Sequence, residues 1–183
     1  MTDLVRTDFD LKQLYAAIDE KRRAEAMSWT AVTRHINRFD TVGHPIATST
    51  IRGLANKSVA EGDGVLQMLL WLDRTPESFV HGFRDGDSER FRLTRPDADH
   101  ILRWDTRALH AAVDAERRAR GITWRELGRE LGGFTAAMLT NLARGGRTGF
   151  PGVMRLTRWL NRPARTFTHT VPRYRSSPIG IRQ

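Results

Sequence analysis

Hydrophobic residues recur three and four positions apart over much of this chain, a spacing that indicates amphipathic helices. Leu11, Leu14 and Ile18 form one such stripe, and Leu109 and Val113 form another later in the chain. Hydrophobic and polar residues do not alternate with period two over any useful length, so we expect no sheet. The pattern predicts an all-α fold whose further helices lie at about 29–37, 48–56, 64–73, 124–131, 136–144 and 152–161.

The second half of the chain repeats the first. Residues 9–29 align with 104–124 at a constant offset of 95, and residues 51–81 align with 139–169 at an offset of 88. A repeated unit of this length is the size of a small domain, so the chain contains two copies of one fold. We predict a first domain at 1–83, a polar linker at 84–103, a second domain at 104–170 and a basic C-terminal tail at 171–183.

Residues typical of helix ends occur at matched places in both copies. Asp10 and Asp105 precede the first predicted helix of each copy, and Ser28 and Thr123 precede the second, all as N-caps. Thr123-x-x-Glu126 predicts a capping box, in which the two side chains satisfy two otherwise unpaired backbone N–H groups.

The net charge of +9 is concentrated in the second copy. Residues 1–83 contain 10 Lys or Arg against 11 Asp or Glu, whereas residues 104–183 contain 15 against 5. Such an excess of positive charge favours a polyanionic partner. Acidic and basic residues also alternate on the first helix of each copy, as at Asp19 and Arg22, and we expect a solvated ion-pair face there.

Several classes of site have no support in the sequence. There is no cysteine, the histidines lack metal-ligand spacing, and Gly145-Gly146-Arg147-Thr148-Gly149 lacks the Lys-Ser/Thr of a phosphate-binding loop. We find no catalytic constellation and no apolar run long enough to span a membrane. The expectation is a cytoplasmic protein that is not an enzyme and needs no metal or cofactor.

The second copy resembles the DNA-binding motif of the lambda-repressor-like (Xre/Cro) helix-turn-helix family. Residues 123–132 (TWRELGRELG) are similar to its first helix and turn, and residues 134–145 (FTAAMLTNLARG) to its recognition helix and closing Arg-Gly. The first copy departs from the pattern, because Thr33 stands where the family has a small residue and Asn56-Lys57-Ser58 replaces Arg-Gly. It is either a second reader of other bases or a copy kept for packing.

The resemblance implies two tandem helix-turn-helix domains of four or five helices, each presenting a recognition helix to the major groove of double-stranded DNA. The side chains expected at base edges are Thr48, Ser49, Thr50 and Arg52 in the first copy and Thr135, Ala136, Ala137, Thr140 and Asn141 in the second. Those expected at phosphates are Thr30, Lys57, Arg125, Arg144 and Arg147.

Two non-identical recognition helices on one chain favour a sequence-specific transcriptional repressor that binds an asymmetric site as a monomer. An extended linker of about 20 residues could separate the readers by roughly 60 Å. A chain of this size without an inducer module resembles temperate-phage immunity repressors, especially the two-domain kind of actinobacterial phages. The alternatives are an antitoxin-like protein-interaction module and a DNA-processing accessory protein or enzyme. Strands in the fold, or a protein that ignores duplex DNA at low ionic strength, would contradict the interpretation.

Overall fold

The computed structural model describes residues 9–38, 45–83, 88–146 and 149–173, and these are mostly helical, as predicted. The first copy contains α1 (Leu11–Ala24), α2 (Trp29–Asn37), α3 (Thr48–Arg52), α4 (Gly62–Leu72) and a 3-10 segment at Pro76–Phe79. A short helix, α5 (Ser88–Phe91), lies between the copies. The second copy contains α6 (Thr106–Ala119), α7 (Trp124–Leu131), α8 (Ala136–Asn141), α9 (Phe150–Trp159) and a 3-10 segment at Ala164–Phe167. Helices α3 and α8 continue as 3-10 segments at Gly53–Asn56 and Leu142–Arg144.

The ends of the repeated helices share a backbone conformation as well as a sequence position. Ala26 and Gly121, which follow α1 and α6, have φ values of 51° and 66°. Asp73 and Asn161, which follow α4 and α9, have φ values of 56° and 52°. Left-handed residues at these positions let the next backbone N–H groups bond the last carbonyls of the helix, so equivalent helices stop in the same way.

The prediction of no sheet was wrong. Strands β1 (His100–Trp104) and β2 (Thr168–Pro172) pair antiparallel, with His100 opposite Pro172 and Trp104 opposite Thr168. Successive strand residues point to opposite faces, and both Ile101 and Leu102 are only 1% exposed. A strand covered on both faces has no alternating pattern for sequence analysis to detect. The strands are one of the two outcomes named above as contradicting the interpretation, and they contradict its all-α fold class. Neither strand replaces a repeated helix, so the helices of the two copies are the part of the prediction that remains.

The range predicted as a linker is held against the helices. It contains α5 and most of β1, Leu93 is buried within it, and Arg95 donates to Leu70 O at 3.3 Å. Strand β2 also takes the first residues of the predicted tail, and Arg173 Nη2 donates to Arg38 O at 2.8 Å. The rest of the predicted tail lies outside the described residues.

One hydrophobic core runs through both copies. Phe150, at the start of α9, is fully buried, and its ring centroid lies 4.4 Å from that of Phe9 and 5.5 Å from that of Trp104. Phe9 belongs to the first copy and Phe150 and Trp104 to the second. The copies therefore share their interior instead of lying apart on an extended linker.

Polar groups connect the copies inside this core. Gln67 Nε2 on α4 donates to Leu102 O at 3.0 Å, and Asp63 Oδ1 accepts from Trp104 N at 3.1 Å. Glu77 Oε1 accepts from Ala164 N at 2.7 Å, so a carboxyl group of the first copy caps a 3-10 segment of the second. A buried polar group is costly unless it is paired, so these bonds favour one arrangement of the two copies.

The ion pairs on α1 and α6 form a partly buried cluster, not the solvated face predicted. Asp19 is 8% exposed, and Arg22 donates from Nε to Asp19 Oδ1 at 2.7 Å and from Nη1 to Met27 O at 3.1 Å. The guanidinium carbon of Arg22 lies 4.9 Å from the centre of the Trp29 ring. The hydrogen bond from Arg22 lowers the pKa of Asp19. The second copy repeats these contacts at the equivalent positions, Asp114, Arg117, Ile122 and Trp124.

Glu77 gives a test of the contact between the copies. Burial raises the pKa of this carboxyl above its ordinary value of 4.5, and its Oε2 atom is buried without a hydrogen-bond partner among the described residues. Because the fold favours the protonated form, this contribution to stability is present below pH 4.5 and is lost as the pH rises through the raised pKa.

We expect Glu77→Gln to keep an oxygen for Ala164 N and to gain stability relative to the parent chain as the pH rises from 4 to 8. Glu77→Ala should lose about 1–3 kcal/mol, because it leaves a buried N–H unpaired. Urea unfolding across this pH range measures both effects, and parallel pH curves for the parent chain and Glu77→Gln would contradict the first.

Candidate nucleic-acid interface

The two helices predicted to read bases each have one buried side and one exposed side. Ile51 and Leu139 are fully buried and fix α3 and α8 to the core. The exposed positions include most of the side chains predicted to contact bases: Ser49, Thr50 and Arg52 on α3, and Ala136, Ala137, Thr140 and Asn141 on α8. Their polar groups and methyl groups are thus accessible to a ligand surface.

Three of the predicted base contacts already have local hydrogen bonds, and one of them is Thr140, whose Oγ1 donates to Ala137 O at 3.2 Å. Thr48 is only partly exposed, and its Oγ1 lies 3.0 Å from Thr33 Oγ1, which bonds Trp29 O. Thr135 is the N-cap of α8 and its Oγ1 accepts from Met138 N at 3.1 Å. The bonds of Thr48 and Thr135 give these two side chains a part in positioning α3 and α8.

The approach of the two motif helices differs between the copies for a steric reason. A Cβ atom on Gly128 of α7 would lie 2.6 Å from Phe134 O, which no ordinary side chain tolerates. The equivalent residue of α2 is Thr33, and there the gap is bridged by the hydroxyl pair with Thr48. In the first copy a hydrogen bond between two hydroxyl groups thus takes the place of the close backbone contact that Gly128 allows in the second.

Helix α7 begins with the predicted capping box. Thr123 Oγ1 accepts from Glu126 N at 3.2 Å, and Glu126 Oε2 accepts from Thr123 N at 2.7 Å. The backbone N–H of Thr123 lowers the pKa of Glu126. The other acidic residue of α7, Glu130, accepts from Trp159 Nε1 at 3.0 Å. Both carboxylates are thus held by neighbouring donors, Glu126 in the first turn of α7 and Glu130 near its end.

The predicted phosphate-binding residues that the structure describes are exposed, and Thr30 and Arg125 are equivalent in the two copies. Thr30 and Arg125 occupy the second positions of α2 and α7, where backbone N–H groups favour an anion. Lys57 and Arg144 lie at the ends of the segments that follow α3 and α8. Arg147 lies outside the described residues.

Two basic residues were missed by sequence reasoning. Arg107 is exposed on α6, and its Nε atom lies 3.4 Å from where a Cβ on Gly145 would be, in the turn that follows Arg144. Its equivalent in the first copy is Lys12, which is also exposed. The signal was present, since both copies have a cation two residues after the N-cap aspartate of their first helix.

One apolar residue of the recognition face was missed as well. Met138 on α8 is 50% exposed and lies among the predicted base contacts. A methionine at helical spacing is usually a core residue, so the sequence gives no direct signal that this one is exposed. An exposed apolar side chain there is suited to contact a thymine methyl group.

Other kinds of site find no support in the described parts of the chain. No group of three or more His, Asp or Glu side chains there is placed to hold a metal ion. No helix within these ranges has both the length and the apolar character needed to cross a bilayer. Comparison of the chain with protein-family models, with curated proteins and with solved structures gave no match.

The close contact between Gly128 of α7 and the backbone at Phe134 can be tested with matched glycine substitutions. Gly128→Ala should cost about 1–3 kcal/mol, because the new Cβ must push α7 away from Phe134 O. Gly64→Ala on α4 is the control, since its Cβ would meet Ile46 at an ordinary 3.6 Å and helical alanine is favoured over glycine. The midpoints of urea unfolding compare the two, and equal midpoints would show that the motif helices are not in close contact.

Proposed function

We propose that this chain is a sequence-specific DNA-binding protein that represses transcription. The observation that carries the proposal is the pair of exposed helices, α3 and α8, each preceded by a capped helix and followed by a cation at Lys57 or Arg144. A helix of this kind fits the major groove of B-DNA, where each base pair has a distinct pattern of donors and acceptors.

Different chemistry on the two helices implies different preferred bases. Arg52 can bond the O6 and N7 atoms of a guanine, and Asn141 can bond the N6 and N7 atoms of an adenine. Ala136, Ala137 and Met138 offer methyl and methylene groups to a thymine methyl. Each bidentate pair discriminates by about 1–3 kcal/mol, enough to define a site when several act together.

Phosphate contacts would fix the register of these helices on the duplex. Thr30 and Arg125 would bind the backbone from the starts of α2 and α7, with Lys57, Arg144 and Arg107 beside the recognition helices. Such contacts supply affinity without sequence preference.

One chain supplies both readers, so the proposed complex is a monomer on a site whose two parts differ in sequence. Repression would follow from occupying DNA that polymerase needs. A temperate-phage immunity repressor is the narrower form of this proposal.

The proposal is tested by selecting random oligonucleotides with the full chain, because the shared core precludes separating the copies. Enrichment of one site in two parts is expected. Arg52→Ala should change base preference only in one part and Asn141→Ala only in the other. Failure of the parent chain to enrich any duplex at low ionic strength would overturn the proposal, and recovery of a protein partner instead would favour the antitoxin-like alternative.

Arg144→Ala should weaken binding to all duplexes by a similar factor and reduce the slope of log K against log salt by about one, because one phosphate contact is lost. Arg92→Ala is the matched control, since Arg92 is exposed in the segment between the copies and pairs with Glu89. Titrations of a fluorescent duplex at several salt concentrations measure the slope. A changed base preference in Arg144→Ala would assign this residue to a base instead.

A further inference from the structure

Equivalent residues of the two copies meet directly. Glu61 and Gly149, which correspond at the offset of 88, form an antiparallel bridge, and Phe150 N donates to Ala60 O at 2.8 Å. A Cβ on Gly149 would lie 2.7 Å from Val59 Cγ1, so the two segments approach as closely as a glycine allows. A segment that pairs antiparallel with its own repeat is related to it by a local two-fold axis, whereas copies arranged by translation would contact through non-equivalent residues.

A second meeting of near-equivalent residues occurs at the other end of α4 and α9. Glu77 accepts a hydrogen bond from Ala164, and Ala164 is the equivalent of Pro76, the neighbour of Glu77. Between the two meeting points α4 packs against α9, which is its own equivalent. Two separate points of self-contact define a line, and this line is the axis that relates the copies.

Contacts away from the axis are reciprocal, as a two-fold axis requires. Phe9 of the first copy contacts Phe150 of the second, with their ring centroids 4.4 Å apart. The equivalents of these residues are Trp104 and Gly62. Trp104 contacts the first copy beside Gly62, because its backbone N–H donates to the carboxylate of the next residue, Asp63.

Both recognition helices lie at the same end of this axis. The 3-10 segments that continue α3 and α8 end at Asn56 and Arg144, each five residues before Glu61 or Gly149. Five residues span at most about 18 Å, so the two ends are separated by no more than about 40 Å across the bridge. Half-sites one helical turn apart are separated by roughly 34–36 Å, which lies within this limit.

From this arrangement we infer that the chain is a covalent pseudo-dimer whose DNA site consists of two half-sites in inverted orientation. The half-sites differ in sequence because α3 and α8 differ, but they are related by rotation and not by translation along the duplex. The inference rests on the proposed function, and it specifies the geometry of the DNA partner.

The sharpest test gives the two recognition helices the same side chains at four positions. The graft Ser49→Ala, Thr50→Met, Arg52→Thr and Gly53→Asn gives the first copy the side chains of Ala137, Met138, Thr140 and Asn141. It keeps the buried Ile51 and Leu54 and the bond between Thr33 and Thr48, and the new Cβ at position 53 would meet only the flexible end of Lys57. Thr48 still differs from Ala136, so selection of random duplexes with the grafted full chain should give two inverted half-sites that agree in the bases read by the four grafted positions, in place of two unlike halves.

The outcomes of the selection are distinct. Two like half-sites in direct orientation, or a single half-site, would overturn the inference while leaving DNA binding intact. Failure of the parent chain to bind any duplex would overturn the proposed function instead. Circular dichroism and urea unfolding of the graft establish beforehand that it is folded.

A second measurement needs no graft. The chain has no cysteine, so Gln13→Cys and Ala108→Cys each place one iron–EDTA cleavage reagent at equivalent exposed positions beside Lys12 and Arg107, without removing a proposed DNA contact. On the site selected by the parent chain, we expect the two cleavage patterns to be related by a two-fold rotation that exchanges the DNA strands. Patterns on the same strand, displaced along the duplex, would overturn the inference even if the graft does not fold.

Discussion

Burial of α4 between the two copies is the constraint on which the rest of the structure depends. Every residue from Val65 to Leu72 is buried, including the polar Gln67. A helix that is apolar on all sides cannot lie at the surface of a small domain. Asp63 and Gln67, one turn apart, mark the side that bonds β1 of the second copy. Exposure of each large apolar side chain would cost about 1.5–3 kcal/mol, so a few of them equal the whole stability of a typical domain.

Local signals account for the parts of the fold that the sequence predicted. Apolar stripes, N-cap residues and the Thr123–Glu126 capping box act within a few residues, and the helices lie close to the predicted ranges. The β ribbon was missed because β1 is covered on both faces and carries no alternation. The shared core was missed because 64–73 was predicted only as a helix of the first copy, although the apolar residues from Val65 to Leu72 cover every side of that helix.

The candidate interface was predictable to a similar extent. Exposure of Arg52, Asn141 and Arg144 follows from helix periodicity once the buried residues are identified. The engagement of Thr48 by Thr33 was not predictable, because it depends on the distance between two helices. The position of Arg107 beside Gly145 likewise depends on how α6 packs, and only its match with Lys12 was visible in the sequence.

The contact between Glu77 and Ala164 requires the two copies to differ in sequence. If two molecules of the first copy associated in this way, each glutamate would face Pro76, which has no N–H to donate, and two buried carboxylates would approach each other. If two molecules of the second copy associated in this way, each would have Arg165 in place of the glutamate. Neither half can thus replace its partner at this seam. A pair of identical copies would lose this hydrogen bond, and only a chain that contains both kinds of copy can form it.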